Sequence, residues 1–234
     1  MYTRNAPTCA SATVMDNLKK MLTINNVFTM TEFWEEAFKD KQEMWGLEPA
    51  KSAVLAKNFF VDHKIKSVLI PGIGYGRNAQ IFIENGMTVT GIEISKTAID
   101  LARKHFGNDL KIYHGSVTEM PFDDQLYEGI FCYGLIYLLD KEERKKLIHN
   151  CFNQLTENGC MIFTAITKEA HTYEQGTLIS KDRFEMFGGV KIFFYDTETI
   201  NEEFGNAGFF ETTEVPENYP FHLIKCRKEK TKNR

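Results

Sequence analysis

The sequence predicts a doubly wound α/β domain: a mostly parallel sheet of seven strands, ended by an antiparallel C-terminal hairpin, with helices on both faces. Three observations carry that expectation. Short apolar, strand-like runs alternate with segments of helical period between residues 67 and 166. The first run turns through Pro71-Gly72-Ile73-Gly74-Tyr75-Gly76, a glycine-rich strand-to-helix corner. The last two runs, 209–215 and 221–227, have only a Pro-containing loop between them, so they must run antiparallel.

Taken in order, residues 1–28 hold no sustained period beyond a short apolar pattern, Val14, Leu18, Met21 and Leu22, consistent with one loose helix. Residues 1–30 are therefore read as an N-terminal extension to a domain spanning 31–234. Thr31 is placed to cap a helix with Phe33, Trp34, Ala37 and Phe38 on one side. After Trp45-Gly46, Pro49 can open a second helix carrying Val54, Leu55 and Phe59. Residues 67–70 then form a buried strand, 76–84 a helix stopped by Asn85-Gly86, and 88–92 a second strand. A helix over 98–106, strands over 110–113 and 129–133, a helix over 141–155 and a strand over 160–166 continue the alternation. Each crossover is expected to be right-handed. A helix over 197–207 precedes the hairpin, while the insert 167–195 shows no decisive pattern.

Composition narrows the function. The chain has 234 residues, 43% hydrophobic and 26% charged, which fits one α/β domain with a full core. A net charge of −4 offers no global field for nucleic acid. The one basic run, Lys225, Arg227, Lys228, Lys230, Lys232 and Arg234, reads as a frayed, solvated terminus. The five cysteines are scattered and contain no C-x-x-C pair, so neither a disulfide framework nor a metal site is expected. No run approaches the ~20 apolar residues of a membrane span, and no apolar leader core is visible. A cytoplasmic protein with a small-molecule partner, and neither nucleic acid nor membrane as partner, is the expectation.

The chemistry concentrates at the glycine corner. Gly72, Gly74 and Gly76 let main chain turn sharply and lie bare against a ligand, at the strand end where open α/β sheets bind. A dinucleotide site wants G-x-G-x-x-G, with the third glycine opening the helix over a pyrophosphate. Here the spacing is G-x-G-x-G, and Arg77 stands where that third glycine would be. Glu93 follows the second strand, seventeen residues after Gly76. Its two oxygens can accept both ribose hydroxyls of a nucleoside, which NAD would satisfy equally. From sequence, Glu93→Ala is expected to weaken nucleoside binding and to leave the melting temperature of the free protein nearly unchanged.

The tight loop resembles the first motif of class I S-adenosylmethionine-dependent methyltransferases, a Rossmann-like family. Within it the chain is similar to the branch of thiopurine, plant halide/thiol and bacterial tellurite-resistance methyltransferases. The residues carrying that likeness are Phe33-Trp34-Glu35-Glu36, Met44-Trp45-Gly46-Leu47-Glu48-Pro49, Leu69-Ile70-Pro71-Gly72-Ile73-Gly74 and Gly91-Ile92-Glu93-Ile94-Ser95. Many class I enzymes hold an acid two residues before the first glycine; this chain has Ile70 there. The resemblance implies S-adenosyl-L-methionine as cofactor, bound by Gly72, Ile73, Gly74, Gly76, Glu93 and Ile94. It also implies Ser116 and Val117 at the adenine and Cys132 toward the methionine end, with Ser116 in place of the family's usual Asp. Trp34, Trp45, Tyr133 and Tyr137 are the implied acceptor-side residues.

A sulfonium carries its own leaving group, so an anionic soft nucleophile such as a thiol needs only alignment and exclusion of water. No general base is assigned from sequence; His171, beyond the fifth strand, is the residue that could serve. An NAD-dependent oxidoreductase and a non-catalytic binder of the same cofactor stay open as alternatives.

Overall fold

A computed structural model describes residues 30–187 and 189–230. The helix expected within 1–28, Cys9 and the last four residues lie outside them. Among the described residues there are ten strands: β1 (Ser67–Pro71), β2 (Thr88–Glu93), β3 (Lys111–His114), β4 (Tyr127–Cys132), β5 (Leu155–Ile166), β6 (Thr177–Ser180), β7 (Arg183–Met186), β8 (Val190–Phe193), β9 (Phe209–Pro216) and β10 (Pro220–Arg227). The helices are α1 (Met30–Lys41), α2 (Lys51–Asp62), α3 (Ala79–Glu84), α4 (Lys96–Phe106), α5 (Lys141–Asn153) and α6 (Thr197–Phe204).

Seven strands form one sheet in the order β3-β2-β1-β4-β5-β10-β9. β10 alone is reversed, pairing antiparallel with both β5 and β9. The order steps outward from β1 in both directions, so the switch point falls between β1 and β4, as expected for a doubly wound sheet. Helices α2 and α3 bury Ala53, Ala56, Phe60, Ala79 and Phe82 on one face. Helices α5 and α6 bury Leu147, Ile148, Cys151, Ile200 and Phe204 on the other. Caps set the helix starts: Ser95 accepts from the Ala98 N–H at α4, and Asp140 with Glu143 forms a capping box at α5. Among the described residues no helix is long and apolar enough to cross a membrane.

Several boundaries differ from expectation for identifiable reasons. Helix α3 starts at Ala79 rather than at Gly76, because Gly76 has φ +86° and cannot be helical. Thr31 lies within α1 instead of capping it. α2 is capped by Ala50, one residue after Pro49, and turns Ala53, Ala56 and Phe60 inward while Val54 and Leu55 are exposed. Small alanines bring that helix close to the sheet, where a Cβ on Gly129 would fall 3.1 Å from the Phe60 ring. The insert contains a second sheet, β6-β7-β8, antiparallel throughout. β6 is exposed at every residue, and β7 and β8 are only four residues each, too short a run for their buried side chains to stand out in the sequence. The basic run is not a frayed terminus through Lys228. Lys225 and Arg227 belong to β10, and the Lys228 ammonium donates to the carbonyls of Asn153 and Leu155.

Candidate functional site

Parallel pairing sets Ile70 beside Gly91 and Pro71 beside Ile92, so β1 and β2 end level with each other. The corner after β1 therefore meets the acid that ends β2. Gly72, Gly74 and Gly76 all have positive φ, at +69°, +60° and +86°, a region that L side chains rarely adopt. The Gly72 and Ile73 N–H groups both donate to the Ile92 carbonyl, at 2.8 and 3.1 Å. Gly91 makes room for the corner: a Cβ there would lie 2.6 Å from Ile73 Cδ1. Ile73 is accordingly a core residue by its side chain, and only its main chain is offered at the corner.

Glu93 is 6% exposed and satisfied entirely by main chain. Its Oε2 accepts from the Gly74 N–H, and its Oε1 from the N–H groups of Ile94 and Ser95, each at 2.8 Å. Burial pushes its pKa above the ordinary carboxylate value, against those three donors, which favour the charged form. Two carboxylate oxygens offer about four acceptor positions, so one stays available to a hydroxyl. Above Gly74 the space is open, the nearest atom to an added Cβ being Phe38 Cζ at 3.8 Å.

Beside this corner, Ser116 caps a 3-10 turn over Val117–Glu119, its hydroxyl accepting from the Thr118 N–H. That engagement, and the hydroxyl contact with Thr118 at 2.8 Å, occupy much of Ser116's polar capacity. Val117 is buried next to it. Cys132 is fully buried, and burial raises its thiol pKa strongly. Its sulfur belongs to the core, which leaves only the Cys132 main chain to face a ligand.

The structure brings Trp45 and Phe38 onto Tyr75 of the glycine corner, with Trp34 packed against both of them. Trp45 stacks on Tyr75 with centroids 6.3 Å apart, and Trp34 lies 6.2 Å from Trp45. Tyr75 donates to the Gly46 carbonyl at 2.7 Å and accepts from the Trp45 N–H at 3.1 Å. Arg77 donates to the Trp45 carbonyl and sits 5.8 Å from the centre of the Tyr133 ring. Both tryptophans thus anchor the N-terminal segment across the corner.

Tyr133 and Tyr137 leave β4 toward the β9–β10 turn. Tyr133 donates to Glu217 at 2.8 Å; the other Glu217 oxygen accepts from the Ser52 N–H and hydroxyl, both at 2.6 Å. Burial and then the Glu217 charge raise the Tyr133 pKa far above the usual phenol range. Burial raises that of Tyr137 likewise. Both phenols stay protonated at neutral pH. His171 is exposed and stacks on Tyr219, centroids 5.7 Å apart.

Glu217, Ser52 and Glu35 carried no role in the sequence reading. Glu217 was legible only through topology: because β10 runs against β5, its turn returns to the ligand end of the sheet. Glu35 stood within the family-like segment, but nothing in its spacing names its partners across the fold.

Residues 68–159 match the family model described as a methyltransferase domain, a span that includes the glycine corner, Glu93, Ser116 and Cys132. A protein of Geobacillus sp. (strain WCH70), with a provisional methyltransferase name, is 25% identical over 123 residues. That alignment takes in 50% of this chain, and the chain spans about half the relative's length, 50%. The Burkholderia thailandensis 1,6-didemethyltoxoflavin-N1-methyltransferase, solved with 1,6-didemethyltoxoflavin and S-adenosylhomocysteine, superposes with a TM-score of 0.66 at 15% identity. The superposition covers 97% of this chain and 94% of that one. The magnesium protoporphyrin IX methyltransferase of Synechocystis PCC 6803, with bound SAM, gives a TM-score of 0.58 at 13% identity over 97% and 100% of the two chains. At such identities these likenesses are of fold.

Proposed function

We propose that the chain is an S-adenosylmethionine-dependent methyltransferase acting on a small molecule. The observation that carries this reading is the Gly74 N–H donating to Glu93: a bare glycine corner and a buried carboxylate are joined at the sheet's ligand-binding end. The methyltransferase-domain match over 68–159 and the fold of the cofactor-bound relatives support it. The residues present fit the cofactor. Main chain at Gly72, Ile73, Gly74 and Gly76, with that of Cys132, would hold the amino-acid end; Glu93 would hold the ribose, and Ile94, Ser116 and Val117 the adenine. When bound, the cofactor supplies an electrophilic methyl on a sulfonium. The chain's part is to orient the acceptor and exclude water, tasks suited to Trp34, Trp45, Tyr133 and Tyr137. In this reading residues 31–234 are one domain and residues 1–30 an extension to it.

The finer reading places the chain in the thiopurine, halide/thiol and tellurite-resistance branch, with a thiol or other soft nucleophile as acceptor. Its support is chemical: the two tyrosines beside the corner are held protonated, so neither is a base at neutral pH. The four described cysteines are free and buried, which agrees with a reducing, cytoplasmic setting.

Titration calorimetry with S-adenosylhomocysteine and, separately, NAD tests the cofactor. Adenosylhomocysteine is expected to bind in roughly the micromolar range, with no comparable NAD signal. Tight NAD binding with no response to adenosylhomocysteine would overturn the proposal.

A further inference from the structure

Glu35 is a charged side chain that α1 sends into its contact with the sheet domain at the corner. One of its oxygens accepts from the Ser95 hydroxyl at 2.7 Å and the Thr97 N–H at 3.1 Å; the other accepts from the Thr97 hydroxyl at 2.7 Å. Ser95 is fully buried and does three things at once. Its hydroxyl caps α4 by accepting from the Ala98 N–H, the same hydroxyl donates to Glu35, and its N–H donates to Glu93. Glu93 in turn accepts from Gly74. One residue therefore links a carboxylate on α1 to the carboxylate of the corner. One turn further along α1, Phe38 closes the aromatic contact with Tyr75 and lies nearest the open space above Gly74.

The Glu35 carboxylate keeps part of its surface in water, and its hydrogen bonds from Ser95 and Thr97 hold α1 to the start of α4. Burial alone would push the Glu35 pKa up; hydrogen bonds from Ser95 and Thr97 outweigh it and hold the group at about 2. It is charged at every physiological pH, so the clasp it makes is permanent in the docked state.

We propose that Glu35 is a positioning residue for nucleoside binding, acting through Ser95 to set Glu93, so that seating of α1 over the glycine corner and engagement of the ribose are one coupled event. The inference rests on the cofactor reading given above. Coupling of this kind is reciprocal: ligand must tighten α1, and a seated α1 must tighten ligand.

The chain's two tryptophans, Trp34 and Trp45, both lie in the seated segment, so intrinsic emission reports its docking directly. The experiment measures adenosylhomocysteine affinity by calorimetry and tryptophan emission in parallel, for wild type, Glu35→Ala, Glu35→Gln and Thr97→Val. Glu35→Ala is expected to raise Kd about tenfold or more, and its free form should already emit further to the red. Glu35→Gln, which keeps one acceptor oxygen, should recover part of the affinity. Thr97→Val removes one donor and leaves Glu93's own partners in place, so it covers the case in which the alanine variant does not fold; a rise of roughly threefold is expected. In wild type the emission change should saturate at the calorimetric Kd. A merely structural Glu35 would lower the melting temperature without moving Kd of the folded protein, and that result overturns the proposal. So does wild-type emission that ignores saturating ligand. Failure of wild type to bind adenosylhomocysteine at all brings down the cofactor reading instead, and the coupling with it.

Discussion

Glu93 accepts three main-chain N–H groups in a site where it is 6% exposed, and this changes what its removal must do. On sequence alone it was a ligand-facing acid whose loss would leave the free protein untouched. Glu93→Ala instead strands the donors of Gly74, Ile94 and Ser95, at about 1–3 kcal/mol for each that water does not reach. We expect the melting temperature to fall by several degrees, at roughly 2–4 °C per kcal/mol for a chain of this size. Adenosylhomocysteine affinity should drop at least about tenfold in the same variant. Scanning calorimetry beside titration calorimetry measures both; an unchanged Kd would make Glu93 a purely structural acid. Gly74 is the complementary case. With φ +60° and Phe38 Cζ 3.8 Å from an added Cβ, the Cβ of Gly74→Val meets strain rather than collision, and β-branching makes that strain at least about 1–2 kcal/mol. The variant should fold, with a modestly lower melting temperature, and lose ligand binding because its side chain fills the space above the corner. Retained affinity would move the site elsewhere.

Helix α1 shows why an element's role can exceed its sequence pattern. Its apolar side was visible from Phe33, Trp34, Ala37 and Phe38, but what that side meets was not. Docking also depends on charge, which has a pH signature. Glu35 has an ordinary value near 4.5 and is held at about 2 when docked. A depressed acid contributes stability that is fully present above its unfolded pKa and is lost as pH falls through the folded one. Lys39, 3.8 Å from Glu35, stays charged throughout that window. Tryptophan emission should therefore shift to the red between about pH 4.5 and 2, and Glu35→Gln should abolish that step. Circular dichroism followed over the same range separates undocking of α1 from global unfolding. A transition identical in both proteins would assign it to other carboxylates. The insert is the opposite case: its sheet is tied to the domain by Lys168, which bridges Asp182 at 2.8 Å and Asp196 at 2.5 Å. Nothing in the local period of 167–195 announces those ties.

For the whole molecule, the proposed function would have the acceptor meet the loops after β4 and β5, the insert and α1. With Tyr133 and Tyr137 held protonated, neither is a base at neutral pH, and under the soft-nucleophile proposal the acceptor ionises by itself. A thiol panel should give adenosylhomocysteine release that rises with pH through each thiol's own pKa, with no enzyme group in the profile. Turnover confined to amines or oxygen acceptors would sink the soft-nucleophile reading and direct attention to His171, stacked on Tyr219.

The alternation of strand and helix, the antiparallel close and the glycine corner with Glu93 were all legible in the sequence. Each is written in local features: residue period, turn chemistry, and glycines where φ must be positive. The partners were decided only by tertiary structure. The bonds of Glu35 to Ser95 and Thr97, of Glu217 to Ser52 and Tyr133, and of Glu93 to Gly74 join residues 19 to 165 positions apart. Such contacts leave no period in the chain, because they are set by which strand ends the sheet order brings level. The same limit explains α2, where Val54 and Leu55 look like core and are exposed. Apolar character says that a side chain gains by burial; only the neighbouring surface says which side of the helix has somewhere to bury it.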